Sequence, residues 1–534
     1  MLKKILTHPL LWIFFLAFFL RVWHLDRYPY GFHVDEVKVG WNAYSLFKTG
    51  RDDWWHAFPL HYDSFGDQRP TGIIYTVVPS IALFDLNQFA VRFPSALFGS
   101  FGVIAVYFLC LQLSAMNYKL SALSALLAAI SPWHISLSRA TSEGIISSTL
   151  ILFGLVYLLK KRPNLIVSAV LLILSYFFYH SARLLVPIFV TAAIFWQFFT
   201  TKKYNFSAIL LLAISYSLSA IFFLSPIARS RLNQVSIFND FTVRDSIDRL
   251  PFEEGQNKVI TARVFHNKLV LYSTRFLDEY FQYFSPKFFL SYTEAKPMRY
   301  ATVMRSPLLY IEFLLLVFGL LQISKAKATG YKLLAVLLLI APIPAGFTNE
   351  DSPNMHRALL MSPFISVITA IGLAQIYKYQ KIIFSVTLLL LSLDFIYFSH
   401  QYLIHNPARD QLTIVRNGGV MELITELDRI SPRYKQIFMT NRPDPLYTWF
   451  AFYHKLNPFT FNQILAGQKN IDFTYQNITF SQHRCPSETL AEGQLRDTLA
   501  VNAEGCNQFP HTDLVAQIPR LGGGISYTLW VYKP

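Results

Sequence analysis

Two adjacent carboxylates, Asp35-Glu36, open a helical stretch that runs to Phe47 inside the first polar segment of the chain. Close by in sequence stand His33, the run Arg51-Asp52-Asp53-Trp54-Trp55-His56, and Asp67-Gln68-Arg69-Pro70. A carboxylate raised in proton affinity by a like-charged neighbour and by low dielectric is a general base. The competing reading is capping, because acids are stabilised at helix N-termini. A second short polar segment, Arg139-Ala-Thr-Ser-Glu143, adds another arginine and another acid, and Arg183 and Arg357 lie at similar polar–apolar boundaries. Guanidinium forks suit phosphate. Carboxylates and arginines gathered beside apolar sequence point to cleavage of a lipid-linked phosphate ester. The competing role for Arg69, Arg139 and Arg357 is anchoring at a headgroup interface, and His33, His134 and His180 are readable as interface residues.

The elements that must position these groups are membrane helices. Of 534 residues, 53% are hydrophobic and 15% charged, against about a quarter charged in soluble domains. That composition excludes a water-soluble surface and also excludes disorder. The net charge of +15 comes from basic residues scattered between apolar runs, which argues against nucleic acid and for membrane lipids as partners. Three cysteines and no CxxC exclude a disulfide framework and a zinc site.

Uncharged or nearly uncharged apolar runs recur at 5–20, 93–118, 120–138, 145–159, 164–182, 184–201, 206–228, 307–324, 333–349, 358–377 and 382–393, with a shorter one at 71–84. Lys3-Lys4, Lys119, Lys160-Lys161-Arg162, Lys202-Lys203, Lys325/Lys327/Lys332 and Lys378/Lys381 mark every second boundary, in connections without acids. The positive-inside rule puts all of these in the cytoplasm. They agree with one another when the 71–84 run does not cross but lies at the outer interface. The expectation is an all-α polytopic protein of about eleven transmembrane helices, with a cytoplasmic N-terminus. Residues 1–400 form the membrane domain, with outer loops 25–92 and 229–306. Residues 401–534 form a small soluble α/β domain on the outer face, with alternating patches at 436–440 and 526–532. Cys485 and Cys506 would then meet an oxidising compartment, where a disulfide and two free thiols are both open.

Several strings in this frame resemble the GT-C superfamily of integral membrane glycosyltransferases. They are Asp35-Glu36, Gly50-Arg-Asp-Asp-Trp-Trp55, Gln68-Arg-Pro-Thr-Gly-Ile-Ile-Tyr75, Val91-Arg-Phe-Pro-Ser-Ala-Leu-Phe-Gly99, Ser131-Pro-Trp-His through Glu143, and His356-Arg-Ala-Leu-Leu-Met-Ser-Pro363. Within that superfamily they are similar to bacterial relatives of the dolichyl-phosphate-mannose protein mannosyltransferases and of the lipid A aminoarabinose transferases. The resemblance implies Asp35 as catalytic base with Glu36 as its partner, and Glu143 at a second acidic position where relatives often carry Asp. It implies substrate contacts from Arg69, which stands where relatives have a lysine near the donor phosphate, and from Arg357, with His33, Arg139 and Arg183 as further candidates. A single proline, Pro70, replaces the usual pair. Metal use varies in the superfamily; no metal site is assigned, though Asp35 with Glu143 would be the pair for a divalent cation.

The activity so implied is inverting transfer of a sugar from a polyprenyl-phosphate donor to an acceptor hydroxyl of protein, lipid or glycan. The site faces outward from the plasma membrane, where nucleotide sugars are not available. The rivals are a flippase or transporter of lipid-linked sugars, and a non-catalytic scaffold presenting the C-terminal domain. Transporters place ionisable groups within their spans, and the spans here are nearly uncharged.

Overall fold

The computed structural model describes residues 8–113, 117–202, 206–225, 234–255, 259–291, 297–466, 472–488 and 497–533. Lys3, Lys4, Lys203 and the start of the 229–306 loop lie outside them. Helix α1 (Pro9–Val22) begins with proline at its first turn and is capped by His8, whose Nδ1 accepts from the Leu10 amide. Helix α2 (Val34–Thr49) starts on a capping box formed by His33 and Glu36 and stops at Gly50, a left-handed C-cap with φ +70°. Strands β1 (His61–Ser64) and β2 (Asp67–Pro70) form a hairpin pairing Tyr62 with Arg69. Its two-residue turn has both central residues at positive φ, Phe65 at 57° and Gly66 at 87°, which suits the right-handed twist of the strands.

Helix α3 (Gly72–Phe84) follows at once. Its 13 residues make it about 20 Å long, short of the roughly 30 Å hydrocarbon core. Helix α4 (Gln88–Gln112) starts at Asn87, whose Oδ1 accepts from the Ala90 amide at 2.9 Å. The next apolar segment is broken into α5 (Tyr118–Ile130) and α6 (Pro132–Ser138), bent by 57°, because Pro132 cannot continue the helix before it. Helix α7 (Glu143–Leu159) follows, with Ser142 as its N-cap.

Among the described residues five helices are long and apolar enough to cross a bilayer: Gln88–Gln112, Ala182–Thr201, Phe206–Leu224, Thr329–Gly346 and Lys381–His405. The bent α5–α6 pair would make a sixth, and several further apolar helices are shorter. The count of eleven therefore remains a sequence expectation. On the Lys381–His405 segment Leu389 and Ile396 are 59% and 61% exposed. Such a surface is stable against lipid rather than water, and the chain is an integral membrane protein.

The C-terminal part carries a six-stranded sheet. Its strands are β3 (Gln436–Thr440), β4 (Phe473–Tyr475), β5 (Ile478–Ser481), β6 (Thr498–Ala503), β7 (Thr512–Pro519) and β8 (Ile525–Tyr532), in the order β4-β5-β3-β6-β8-β7. β3 runs parallel to both β5 and β6 while the other pairs are antiparallel. Cys485 and Cys506 are joined by a disulfide, and the Cys110 thiol is buried, its Sγ accepting from Ser124 Oγ at 3.7 Å.

This part grips α2 directly. Trp41 Nε1 donates to Asn462 Oδ1 at 3.0 Å, and Trp449 Nε1 to the Phe32 carbonyl at 2.9 Å. Gly31, just before α2, has φ +79°, and a Cβ there would sit 2.4 Å from the Arg416 carbonyl oxygen. Gly31→Ala is therefore expected to destabilise by at least about 1–3 kcal/mol, read as a lower thermal unfolding midpoint of the detergent-solubilised protein. An unchanged midpoint would show that the 31/416 contact is loose.

Candidate active site

Successive helical residues point about 100° apart, so Asp35 and Glu36 enter different surroundings. Glu36 turns inward and is 3% exposed. Its Oε1 accepts from Arg92 Nε at 3.0 Å and from the Thr141 amide at 3.0 Å. Its Oε2 accepts from Arg92 Nη2 at 3.1 Å, from Arg416 Nη2 at 2.7 Å and from the His33 amide at 3.2 Å. Burial alone would raise this carboxyl, but the Arg92 and Arg416 charges hold it far below the usual carboxylate range. Glu36 thus ties together the segment between α1 and α2, α4, the loop before α7 and the C-terminal part.

Asp35 turns the other way. Its Oδ2 is paired with Arg69 Nη1 at 3.1 Å and with Arg299, and its Oδ1 accepts from Ser64 Oγ at 3.3 Å. The β-hairpin places Arg69, and Asp67 Oδ2 accepts from Arg69 Nε at 2.8 Å. Burial would raise the Asp35 carboxyl; the charges of Arg69 and Arg299 outweigh it and keep it well below its ordinary value. His33 itself is lowered to about 3 by burial and by the Arg299 charge, and so stays neutral. Its Nδ1 accepts from the Asp35 amide at 3.0 Å, which fixes the orientation of the helix start.

Beside this pair opens a cavity of about 780 Å³, lined by His33, Arg69, Glu143, Arg183, Arg299 and Arg357 among others. The arginines are unequally satisfied. Arg357 is paired with Glu350 at 2.6 Å and donates to Thr348 Oγ1 at 2.9 Å. Arg183, 2% exposed, meets two imidazoles, His180 Nδ1 at 3.0 Å and His61 Nε2 at 3.4 Å, and lies over the Phe222 ring at 4.3 Å. Burial and the Arg183 charge lower His61 to about 4, so it is neutral. Glu143, the first residue of α7, forms no ion pair within 4.0 Å among the described residues; burial raises its carboxyl against the opposing charges of Arg69 and Arg299.

The structure therefore brings His33, Arg69, Glu143, Arg183 and Arg357 to one cavity, with Asp35 at its edge. Glu36 and Arg139 do not line it. Arg139 donates to the carbonyls of Leu20, Trp23 and Tyr28 at 2.9, 2.8 and 3.1 Å, closing the end of α1. Sequence reasoning missed Arg299 and Arg416. Arg299 stands in Pro297-Met-Arg-Tyr300, a short basic and aromatic string with no acid beside it. The signal for Arg416 is the Gly418-Gly419 pair just after it, which marks a tight turn. Among the described residues no group of three or more His, Cys, Asp or Glu side chains is arranged to hold a metal ion.

No protein-family model matches this chain, and no curated protein matches it in sequence. In shape it is similar to ArnT from Cupriavidus metallidurans bound to undecaprenyl phosphate, at 10% identity, over 97% of this chain and 96% of that one, with a TM-score of 0.47. It is also similar to the archaeal oligosaccharyltransferase AglB from Archaeoglobus fulgidus in complex with an inhibitory peptide and a dolichol-phosphate, at 10% identity and a TM-score of 0.45. That match covers 83% of this chain, which spans 63% of the archaeal enzyme's length.

Proposed function

We propose that the chain is an inverting glycosyltransferase that moves a sugar from a polyprenyl-phosphate donor to an acceptor hydroxyl, at a site on the extracytoplasmic face of an eleven-span membrane domain. The observation that carries this reading is one carboxylate oxygen, Asp35 Oδ2, held between Arg69 and Arg299 beside a cavity lined by two further arginines. An ion pair of this kind is poised for exchange. A donor phosphate entering among Arg69, Arg299 and Arg183 competes for the same guanidiniums and loosens their hold on Asp35. The freed carboxylate regains basicity at the moment the donor is in place.

The step is a single displacement. Asp35 takes the proton of the acceptor hydroxyl while the acceptor oxygen bonds to the anomeric carbon. The bond from that carbon to the phosphate oxygen breaks on the opposite side, and lipid phosphate departs carrying the electron pair. General-base assistance contributes roughly 10²–10⁴ in rate. Cations already fixed around the departing phosphate add an electrostatic contribution without reorganisation. Glu143, which lines the same cavity and has no ion pair within 4.0 Å among the described residues, accepts from hydroxyls of the donor sugar. Glu36 organises the helix start rather than taking part in chemistry.

The test is incubation of the purified protein in lipid nanodiscs with a panel of radiolabelled polyprenyl-phosphate sugars and candidate acceptors. Release of free lipid phosphate with inverted transfer product is expected. Movement of intact lipid-linked sugar across the bilayer, with no phosphate released from any donor, would favour the flippase instead.

A pH prediction follows from the same ion pair. Because Asp35 is held ionised in the enzyme without donor, it imposes no acid limb on kcat/KM for donor in the ordinary range. Arg69→Ala removes one of its two cations, so the acid limb of kcat/KM for donor is expected to move up by about one to three pH units. The variant should also bind donor more weakly. A pH profile that superimposes on that of the unsubstituted enzyme would show that Arg69 does not act on Asp35.

A further inference from the structure

The run Arg51-Asp52-Asp53-Trp54-Trp55 stands at the far end of α2 from Asp35 and takes no part in the displacement there. Helix α2 stops at Gly50, and Arg51 then pairs with Ala57 to close a tight loop. The buried Asp52 locks it, its Oδ1 accepting from the Trp54 and His56 amides at 3.0 and 2.8 Å. Trp55 is held at φ +71°, an outlier for so bulky a side chain. Its carbonyl accepts from Arg51 Nη1 at 2.8 Å, and its ring meets Phe459 edge to face at 5.5 Å. Strain of this kind persists where the surroundings over-determine it, and it collects at ligand clamps.

Between this loop and the C-terminal part lies a cavity of about 500 Å³ that shares no lining residue with the arginine cavity. Asp35 and Lys48, one beside each cavity, lie about 20 Å apart along α2. Among the described residues the lining of this second cavity holds three cations, Lys48, Arg51 and Lys455, and no acid. Tyr44, Trp55 and Phe459 give it aromatic walls. Among the described residues neither Lys48 nor Arg51 is ion-paired; Lys48 lies over the Tyr44 ring at 5.6 Å and Arg51 over the Trp55 ring at 5.5 Å. Lys455 sits at φ +48° just past the helix Leu446–Tyr453, a position usually given to glycine. It pairs with Asp85 at the end of α3, and the Lys48 charge reaches the same carboxylate. Both members of that pair are exposed, so it contributes little and exchanges readily.

We propose that this cavity binds a phosphate ester, the headgroup of an anionic lipid in the leaflet against which the C-terminal part lies. Phosphate has the charge and the acceptor oxygens to bridge Lys48, Arg51 and Lys455 at once, and the aromatic walls take the C–H faces of the group esterified to it. The surroundings favour a lipid as the source. The Pro59 carbonyl accepts from Thr71 Oγ1 at 2.9 Å and from the Tyr75 hydroxyl at 3.1 Å, which ties the loop to α3, the apolar helix too short to cross. Phe58, whose amide donates to the Gly50 carbonyl at 3.1 Å, and Leu60 are 70% and 64% exposed. Apolar side chains around a cationic recess suit a headgroup with acyl chains beside it. So bound, the lipid joins the end of α2 to the C-terminal part, whether or not the chain transfers sugar.

The experiment places the full chain in phosphatidylcholine nanodiscs with a trace of phosphatidylglycerol that carries a diazirine on its headgroup. Photolabelling is expected at residues 44–59 and 455–459, and excess unlabelled phosphatidylglycerol should displace it. Lys48→Gln/Arg51→Gln should lower that labelling roughly twenty- to thirty-fold, about fivefold for each cation removed, while Lys48→Arg/Arg51→Lys keeps most of it. Glycerol 3-phosphate and glucuronate are the soluble competitors, and neither should match phosphatidylglycerol. Equal displacement by glycerol 3-phosphate alone would uphold the phosphate-ester site and overturn the lipid as its source. Equal displacement by glucuronate would overturn the choice of phosphate. Labelling that survives the double Gln substitution, or that spreads evenly over the membrane helices, would overturn the site. The displacement measurements need only the unsubstituted protein, so they decide the matter even where a variant fails to fold.

Discussion

Asp35→Asn is expected to lower kcat by about 10²–10⁴ while leaving donor binding intact or slightly tighter. The substitution preserves shape, and the remaining carbonyl oxygen can still accept from Ser64 or from one of the two guanidiniums that meet Asp35. What disappears is the proton acceptor and the negative charge that competes with donor phosphate for Arg69 and Arg299. The two effects are separable: equilibrium binding of a labelled donor reports the second, and single-turnover transfer reports the first. A variant with full turnover would remove Asp35 from the chemistry. A variant that binds donor tenfold more weakly would show that Asp35 contacts the sugar instead of guarding the arginines.

The neighbouring residue should behave in the opposite sense. Glu36→Ala leaves Arg92 and Arg416, 0% and 5% exposed, facing one another without the carboxylate between them. Breaking a buried ion pair from one side costs about 3–5 kcal/mol, because the remaining charge stays desolvated. Here two guanidiniums and the Thr141 amide lose their acceptor together. The expected result is a large fall in folded yield and in unfolding midpoint, with Glu36→Gln intermediate because it keeps one acceptor oxygen. The sign for pH is fixed by the depressed Glu36 carboxyl. Its contribution is fully present above the ordinary carboxylate range and is lost as pH falls through the lower folded-state value. Normal stability of Glu36→Ala combined with lost transfer would assign Glu36 to the reaction.

These two residues also mark what the sequence discloses. The Asp-Glu pair was visible as a chemical feature, but adjacency in sequence says nothing about which residue faces a cavity and which an arginine cluster. That depends on how α2 is rotated, which Arg92 and Arg416 decide from far along the chain. Arg69 was legible from its place at the head of the 71–84 apolar run and from the family resemblance, but the β-hairpin that carries it, turning at Phe65 and Gly66, was not. Arg299 was not, since it meets Asp35 across 264 residues and belongs to no string that stands out.

The same limit applies to the fold. Alternation exposed β3 and β8, whereas β6 is buried at all six positions because strands cover both its edges and both faces are packed. Counting apolar runs located the helices but not their interruptions. The run expected to begin at Phe93 begins at Gln88, because Asn87 supplies a cap, and Pro132 divides a run that hydropathy alone joins.

The bond from Arg416 to Glu36 closes a loop of 380 residues. At about 5–20 residues per second of synthesis, the helix bearing Asp35 and Glu36 leaves the ribosome roughly 20 to 75 seconds before the arginine that locks it. A chain cut short before residue 416 therefore holds Glu36 by Arg92, the Thr141 amide and the His33 amide alone, and the start of α2 lacks its tie to the C-terminal part.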